Sequence, residues 1–187
     1  MEKQAMMDYF NTNFEEVLNK AREIKLLVTD LDGVLTDGGI ILDDNGMEYK
    51  RFQVKDGQII PYLRDNGIKT GIITGRNVSV SKIRCEQMGV DFHLHGIREK
   101  WPTLSAVMEE MELNPNQVAY IGDDIIDLEL LLNVGFSAAP ADAIHYVKEK
   151  VDYVTLKKGG QGAFRELADL ILFAGGNLPS MPAKNLT

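Results

Sequence analysis

Short apolar runs recur along this chain, at 24–29, 68–74, 90–94, 118–121 and 151–156, and segments of helical period separate them at 78–88, 103–113, 128–134 and 163–173. Runs too short for helices, alternating with amphipathic segments, predict buried strands joined by crossover helices. The expected fold is α/β: a three-layer, Rossmann-like parallel sheet with helices on both faces. Gly67, Gly89 and Gly135 follow helical segments as terminators. In such sheets ligands sit beyond the carboxyl ends of the strands.

Two features frame this core. Asn13 and Glu16 have capping-box spacing ahead of an apolar stripe of Phe14, Val17, Leu18 and Ala21, predicting an N-terminal helix. After the first strand, 39–42 and 47–54 flank Asp43-Asp44-Asn45-Gly46, whose Asn-Gly pair predicts a projecting β-hairpin. The expected organisation is one domain over 1–187: an N-terminal helix (1–23), a core (24–174) and a flexible tail (175–187).

Net charge of −8 argues against nucleic acid or an anionic membrane surface as the main partner. No stretch reaches the ~18 apolar residues of a membrane span. Cys85 is the single cysteine, so no internal disulfide can form and a reducing, cytoplasmic setting is expected. In an amphipathic segment it reads as a small buried hydrophobe, while His93 and His95 read as surface or interface histidines.

Four predicted strand ends carry polar groups. The first closes on Asp30-Leu31-Asp32-Gly33, where Asp30 could attack phosphorus and Asp32 could serve as acid and base. The second closes on Thr74-Gly75-Arg76, a hydroxyl, free amides and a guanidinium suited to a phosphate, although Asn77 could equally cap the next helix. Lys100 follows the third, either bridging nucleophile and phosphate or lying solvated at a helix start. The fourth ends in Gly122-Asp123-Asp124-Ile125-Ile126-Asp127, and three carboxylates this close repel one another unless a hard dication relieves them. Asp30 and Asp123 are the expected direct Mg2+ ligands, with the Asp32 carbonyl a third candidate and Asp127 able to face the same site; Asp124 or Asp127 could instead be a helix cap.

These four positions, in this order, resemble the motifs of the haloacid dehalogenase superfamily of phosphotransferases. Within it, Thr29 to Gly38, Phe52-Gln53-Val54-Lys55-Asp56-Gly57, Ile73 to Arg76 and Gly159 to Glu166 resemble the capless group acting on 3-deoxy-D-manno-octulosonate 8-phosphate. The resemblance implies a magnesium-dependent phosphatase of a phosphorylated sugar acid. It implies substrate contacts at Asp32, Gln53, Val54, Lys55, Asp56, Gly57, Thr74, Gly75, Arg76, Arg84 and Lys100, and a homotetramer. Asp30 to Thr74 and Thr74 to Lys100 are too close in sequence for a cap domain, so the hairpin and neighbouring subunits are the available walls, with the tail and its Lys184 a further candidate cover.

Two positions depart from that group: Pro61 and Gln161 stand where an arginine is usual. Each loses a cation, so 2-keto-3-deoxy-nononic acid 9-phosphate is the alternative substrate. The rival classes are a receiver domain, disfavoured because the candidate nucleophile lies in the first strand beside Asp32, and a silent oligomerisation module, disfavoured by intact Asp30, Asp32, Lys100 and Asp123.

Overall fold

The computed structural model describes Phe10 and residues 14–178. The expected cap at Asn13 and the tail from 179 onward, with Lys184, lie outside the described residues. In chain order the elements are α1 (Phe14–Arg22), β1 (Leu26–Thr29), β2 (Ile41–Leu42), β3 (Glu48–Tyr49), α2 (Val54–Gln58), α3 (Ile60–Asp65), β4 (Lys69–Thr74), α4 (Ser79–Met88), β5 (Phe92–His95), α5 (Lys100–Glu110), β6 (Val118–Ile121), α6 (Leu128–Asn133), β7 (Phe136–Ala139), α7 (His145–Lys148), β8 (Tyr153–Val154) and α8 (Ala163–Ala174).

The six long-range strands form one parallel sheet in the order β5-β4-β1-β6-β7-β8. β1 pairs with β4 on one side and β6 on the other, in register Thr29↔Ile72 and Thr29↔Ile121. Alternate strand residues feed two cores. Leu27, Ile72, Ala119 and Phe136 join Val17, Leu18 and Ala21 of α1, Cys85 of α4 and Leu167 and Ile171 of α8. Leu26, Val28, Ile73 and Tyr120 join Leu104 and Met108 of α5, Leu130 of α6 and Val147 of α7. Helices therefore cover both faces, as the alternation predicts, and β1, β4 and β6 bring their carboxyl ends to one rim.

Several local expectations are corrected. β7 is a strand the sequence reading omits: Phe136-Ser137-Ala138-Ala139 has one strong strand former, yet it is wholly buried between β6 and β8. The hairpin is shorter than 39–42 and 47–54, pairing only Ile41↔Tyr49 and Leu42↔Glu48. Val54 instead begins α2, whose Asp56 Oδ1 accepts the Arg165 amide at 3.0 Å, and Pro61 sits in the first turn of α3, where its missing N–H costs nothing. Gly89 ends α4 in the left-handed conformation, φ 68°. Gly135 is no such terminator: a Cβ there would lie 2.4 Å from Asn116 Cα, so its smallness serves close packing.

The Gly159-Gly160 turn is pressed onto the loop after β1. Gly160 N–H donates to Val34 O at 2.9 Å, and a Cβ on Gly159 would lie 2.0 Å from Gly33 O. Gly159→Ala must push that loop aside. We expect about 1–3 kcal/mol of destabilisation, read as a lower urea midpoint at unchanged m.

Candidate active site

The strand ends bring Asp30, Lys100, Asp123 and Asp127 together. Asp30 follows β1 and is 4% exposed; its amide donates to Ile121 O at 3.0 Å, tying it to β6. Lys100 opens α5 with its side chain wholly buried. Its Nζ donates to Asp30 Oδ1 at 2.7 Å, to Asp127 Oδ1 at 2.7 Å and to Tyr120 Oη at 3.3 Å. A fully buried ammonium with two carboxylates is no solvated surface lysine.

Asp127 is saturated. Tyr120 Oη donates to its Oδ1 at 2.6 Å, while its Oδ2 accepts the amides of Asp123 at 3.1 Å and Asp124 at 3.3 Å. Asp124, for its part, caps the 3-10 turn Ile125–Asp127 by accepting the Ile125 amide. The tight return from β6 needs Gly122, where a Cβ would lie 2.5 Å from the Asp127 Cβ. Gly33, at φ 93°, lets Asp123 approach: a Cβ there would lie 2.1 Å from Asp123 Oδ2.

The electrostatics follow from this crowding. Burial first, and then Asp127, raise the Asp30 carboxyl to about 7 against the pull of Lys100. Burial, then Asp30, Asp127 and Asp124, raise Asp123 to about 8. Burial alone would lower the Lys100 ammonium, but Asp30 and Asp127 outweigh it and hold it above the ordinary lysine value. Burial and Asp127 push the Tyr120 phenol well up, so it stays a donor. One cation cannot balance three carboxylates. Asp30, Asp123 and Asp127 each bring a carboxylate oxygen within 4.8 Å of the others, and Asp123 Oδ1 is buried without a hydrogen-bond partner among the described residues. Such an all-oxygen cluster with an orphaned acceptor fits a hard dication.

Asp32, two residues beyond Asp30, joins a second network. Lys50 Nζ, with a side chain 1% exposed, donates to Asp32 Oδ1, and Thr36 Oγ1 donates to the same oxygen at 3.4 Å. Arg76 Nε lies 3.8 Å from Asp32 Oδ2, and its Nη2 donates to Glu48 Oε2 at 2.5 Å; Lys50 also pairs with Glu48 at 3.4 Å. Thr74, buried at the end of β4, accepts the Arg76 amide at 3.3 Å. The hairpin thus folds back over the carboxyl ends of β1 and β4. Sequence reading missed Glu48, Lys50 and Tyr120. Charges two apart across the aromatic Tyr49, at the end of the expected hairpin, were the available signal for the first two. A tyrosine inside a buried run, whose hydroxyl requires a partner, was the signal for the third.

The remaining expected substrate contacts lie on α2, its N-terminal flank and α4. Val54 and Lys55 are exposed and Gln53 and Gly57 half-buried. Asp56 is buried, and burial raises its carboxyl to about 7 against the Arg165 amide and Arg84. Arg84 lies over the Phe52 ring at 5.8 Å, with its Nε buried and without a hydrogen-bond partner among the described residues. Gly57 admits it: a Cβ there would meet Arg84 Nη2 at 3.1 Å. Pro61 and Gln161 are both exposed.

Residues 94–167 match the family model of the haloacid dehalogenase-like hydrolases. The 3-deoxy-D-manno-octulosonate 8-phosphate phosphatase of Escherichia coli K12 is 40% identical over 171 residues, 91% of each chain. The solved structure of the Yersinia pestis enzyme of that name superposes with a TM-score of 0.86 at 39% identity, covering 91% of this chain and 94% of that one. The Moraxella catarrhalis enzyme, solved in complex with magnesium, phosphate and KDO, gives a TM-score of 0.86 at 36% identity, covering 89% and 95%. The shared sheet, the strand-end carboxylates and an identity that runs nearly the whole length lead to one assignment: the chain belongs to the haloacid dehalogenase-like hydrolases, in the family of the 3-deoxy-D-manno-octulosonate 8-phosphate phosphatases.

Proposed function

We propose that this chain is a magnesium-dependent phosphomonoester hydrolase that releases the phosphate of 3-deoxy-D-manno-octulosonate 8-phosphate, a step toward lipopolysaccharide precursors. The observation that carries the reading is Asp30, buried at the end of β1 against Lys100 at 2.7 Å, with Asp32 two residues on and held by a lysine of its own. One carboxylate is fixed for attack and its neighbour for proton transfer.

The Asp30 carboxylate attacks phosphorus while Asp32 gives its proton to the departing sugar oxygen. Asp32 then takes a proton from water, the water oxygen attacks the aspartyl phosphate, and phosphate leaves with Asp30 regenerated. Lys100 neutralises charge on Asp30 and the phosphoryl oxygens, while Thr74, the Gly75 and Arg76 amides and the Arg76 guanidinium receive the remaining oxygens. Asp30, Asp123 and the Asp32 carbonyl would hold Mg2+, with Asp127 fixing Asp123 and Lys100 around it. The bound ion supplies a Lewis acid that offsets phosphoryl charge.

Gln53 to Gly57 and Arg84 are the proposed contacts to the sugar acid. We further propose a homotetramer in the cytoplasm. Ile40, Ile41, Leu42, Met47 and Tyr49 are each at least half exposed on the hairpin, an apolar surface that subunit packing would cover. No helix among the described residues is long and apolar enough to cross a membrane.

Phosphate release from the eight-carbon acid phosphate, the nine-carbon 2-keto-3-deoxy-nononic acid 9-phosphate and a panel of simple sugar phosphates, with and without Mg2+, tests the reading. A magnesium-dependent preference for the eight-carbon acid is expected. Preference for the nine-carbon acid would move the substrate and attribute the change to Pro61 and Gln161, and no release from any would leave an inert module.

Magnesium also has a signature apart from turnover. At 100 times its dissociation constant, binding contributes about 2.7 kcal/mol, which for a chain of this size raises the thermal midpoint by roughly 5–10 °C. In Asp123→Asn that rise should nearly vanish. An equal rise in the variant would remove Asp123 from the metal site.

A further inference from the structure

Two histidines that the sequence leaves as surface or interface groups, and a cysteine it leaves as a core hydrophobe, meet at the edge of the sheet. His93 and His95 are two residues apart on β5 and so share a face, and α4 packs on that face with Cys85 turned inward. One donor atom from each of the three lies within 4.8 Å of the other two. His93 Nδ1 and His95 Nε2 are 2.9 Å apart, with the rings nearly edge-on at 78°. Cys85 is 1% exposed, whereas both histidines are half-buried on an edge strand, so the group is open from the imidazole side.

A plain hydrogen-bonded histidine pair does not satisfy this arrangement. A single N–H is shared between the rings, and among the described residues His95 Nδ1 remains buried with no hydrogen-bond partner. If His95 Nε2 carries the shared proton, its Nδ1 presents a bare lone pair; if His93 carries it, His95 Nδ1 becomes a buried orphan donor, the costlier choice. The cheaper tautomer therefore leaves His95 with an unused lone pair on Nδ1. Burial first, then His93, Lys82 and Lys50, hold the His95 imidazole below its ordinary value, so the neutral, ligating form prevails.

We propose that Cys85, His93 and His95 form a zinc-binding site, chemically separate from the carboxylate cluster, that clamps α4 to the edge strand β5. One thiolate and two imidazoles are borderline-soft donors suited to Zn2+, with a fourth position for water. Oxygen-only Asp30 and Asp123 suit Mg2+ instead, so the two ions sort by donor type. On binding, the Cys85 S–H bond breaks, its proton passes to solvent, the S–Zn bond forms, and each histidine gives one lone pair. The clamp reaches the active site through short connections: His95 is the register partner of Thr74, and α4 carries Arg84.

Cobalt(II) added to the metal-free full chain in excess Mg2+ reads the site directly, because only a thiolate ligand gives a sulfur-to-cobalt charge-transfer band. The band is expected to saturate at one equivalent, to be discharged by Zn2+, and to persist in Asp123→Asn. It should be lost in Cys85→Ser, and affinity should fall by more than ~10-fold in His93→Gln and in His95→Gln. Far-UV circular dichroism checks each variant, with Cys85→Ala taken if the serine variant fails to fold. Absence of the band in the wild type, its survival without Cys85, or indifference to both histidines each overturns the site.

Discussion

Asp30→Asn is expected to abolish phosphate release while leaving the chain at least as stable as the wild type. An amide oxygen cannot take the phosphoryl group as a carboxylate does, and phosphomonoester hydrolysis is among the slowest uncatalysed reactions, needing accelerations up to ~10²¹. Loss of the covalent route should therefore cost on the order of 10⁴-fold or more in kcat. Stability moves the other way. The Asp30 carboxyl is raised to about 7 by burial and Asp127, so its ionised form is disfavoured in the folded chain relative to the unfolded one. The stability this group contributes when protonated is lost as pH rises from its unfolded value toward 7. A neutral isostere escapes that loss, so without magnesium at neutral pH the variant should melt no lower than the wild type. Turnover near the wild-type rate would end the assignment of Asp30 as nucleophile.

Lys100→Met is expected to remove both activity and stability. The lysine side chain is wholly buried, and its ammonium is the cation bound to Asp30 and Asp127. Methionine fills the stem's volume but leaves those carboxylates, which lie among apolar walls and Asp123, without compensation. Removing one partner of a buried ion pair costs roughly 3–5 kcal/mol. For a chain of this size that corresponds to a fall of about 6–20 °C in thermal midpoint. Magnesium should restore part of it by balancing the same carboxylates, yet not the activity, because the ammonium proposed to face the phosphoryl oxygens is gone. Equal stability in Lys100→Met and wild type without magnesium would show that the carboxylates take up protons instead of remaining charged.

The core elements were legible because burial leaves a periodic trace. β1, β4 and β6 read directly from apolar runs, and the helices packed on them from their spacing. β7 left little trace, since Phe136-Ser137-Ala138-Ala139 is a strand through its neighbours and not through propensity. Helices α2 and α3 were hidden because Asp56 and Pro61 owe their settings to Arg165 and to a turn start.

Which chemistry stands at the rim follows from the order of residues alone. A parallel sheet must present its strand ends together, so Asp30, Thr74, Lys100 and Asp123 were bound to converge wherever the helices packed. The partners that depend on approach through space come from the packing of elements: Lys50 and Glu48 folding from the hairpin onto Asp32 and Arg76, Tyr120 meeting Asp127, and Cys85 meeting His93 and His95. Periodicity records which face of an element is buried. It does not record which element arrives on that face, and these contacts are set by that arrival.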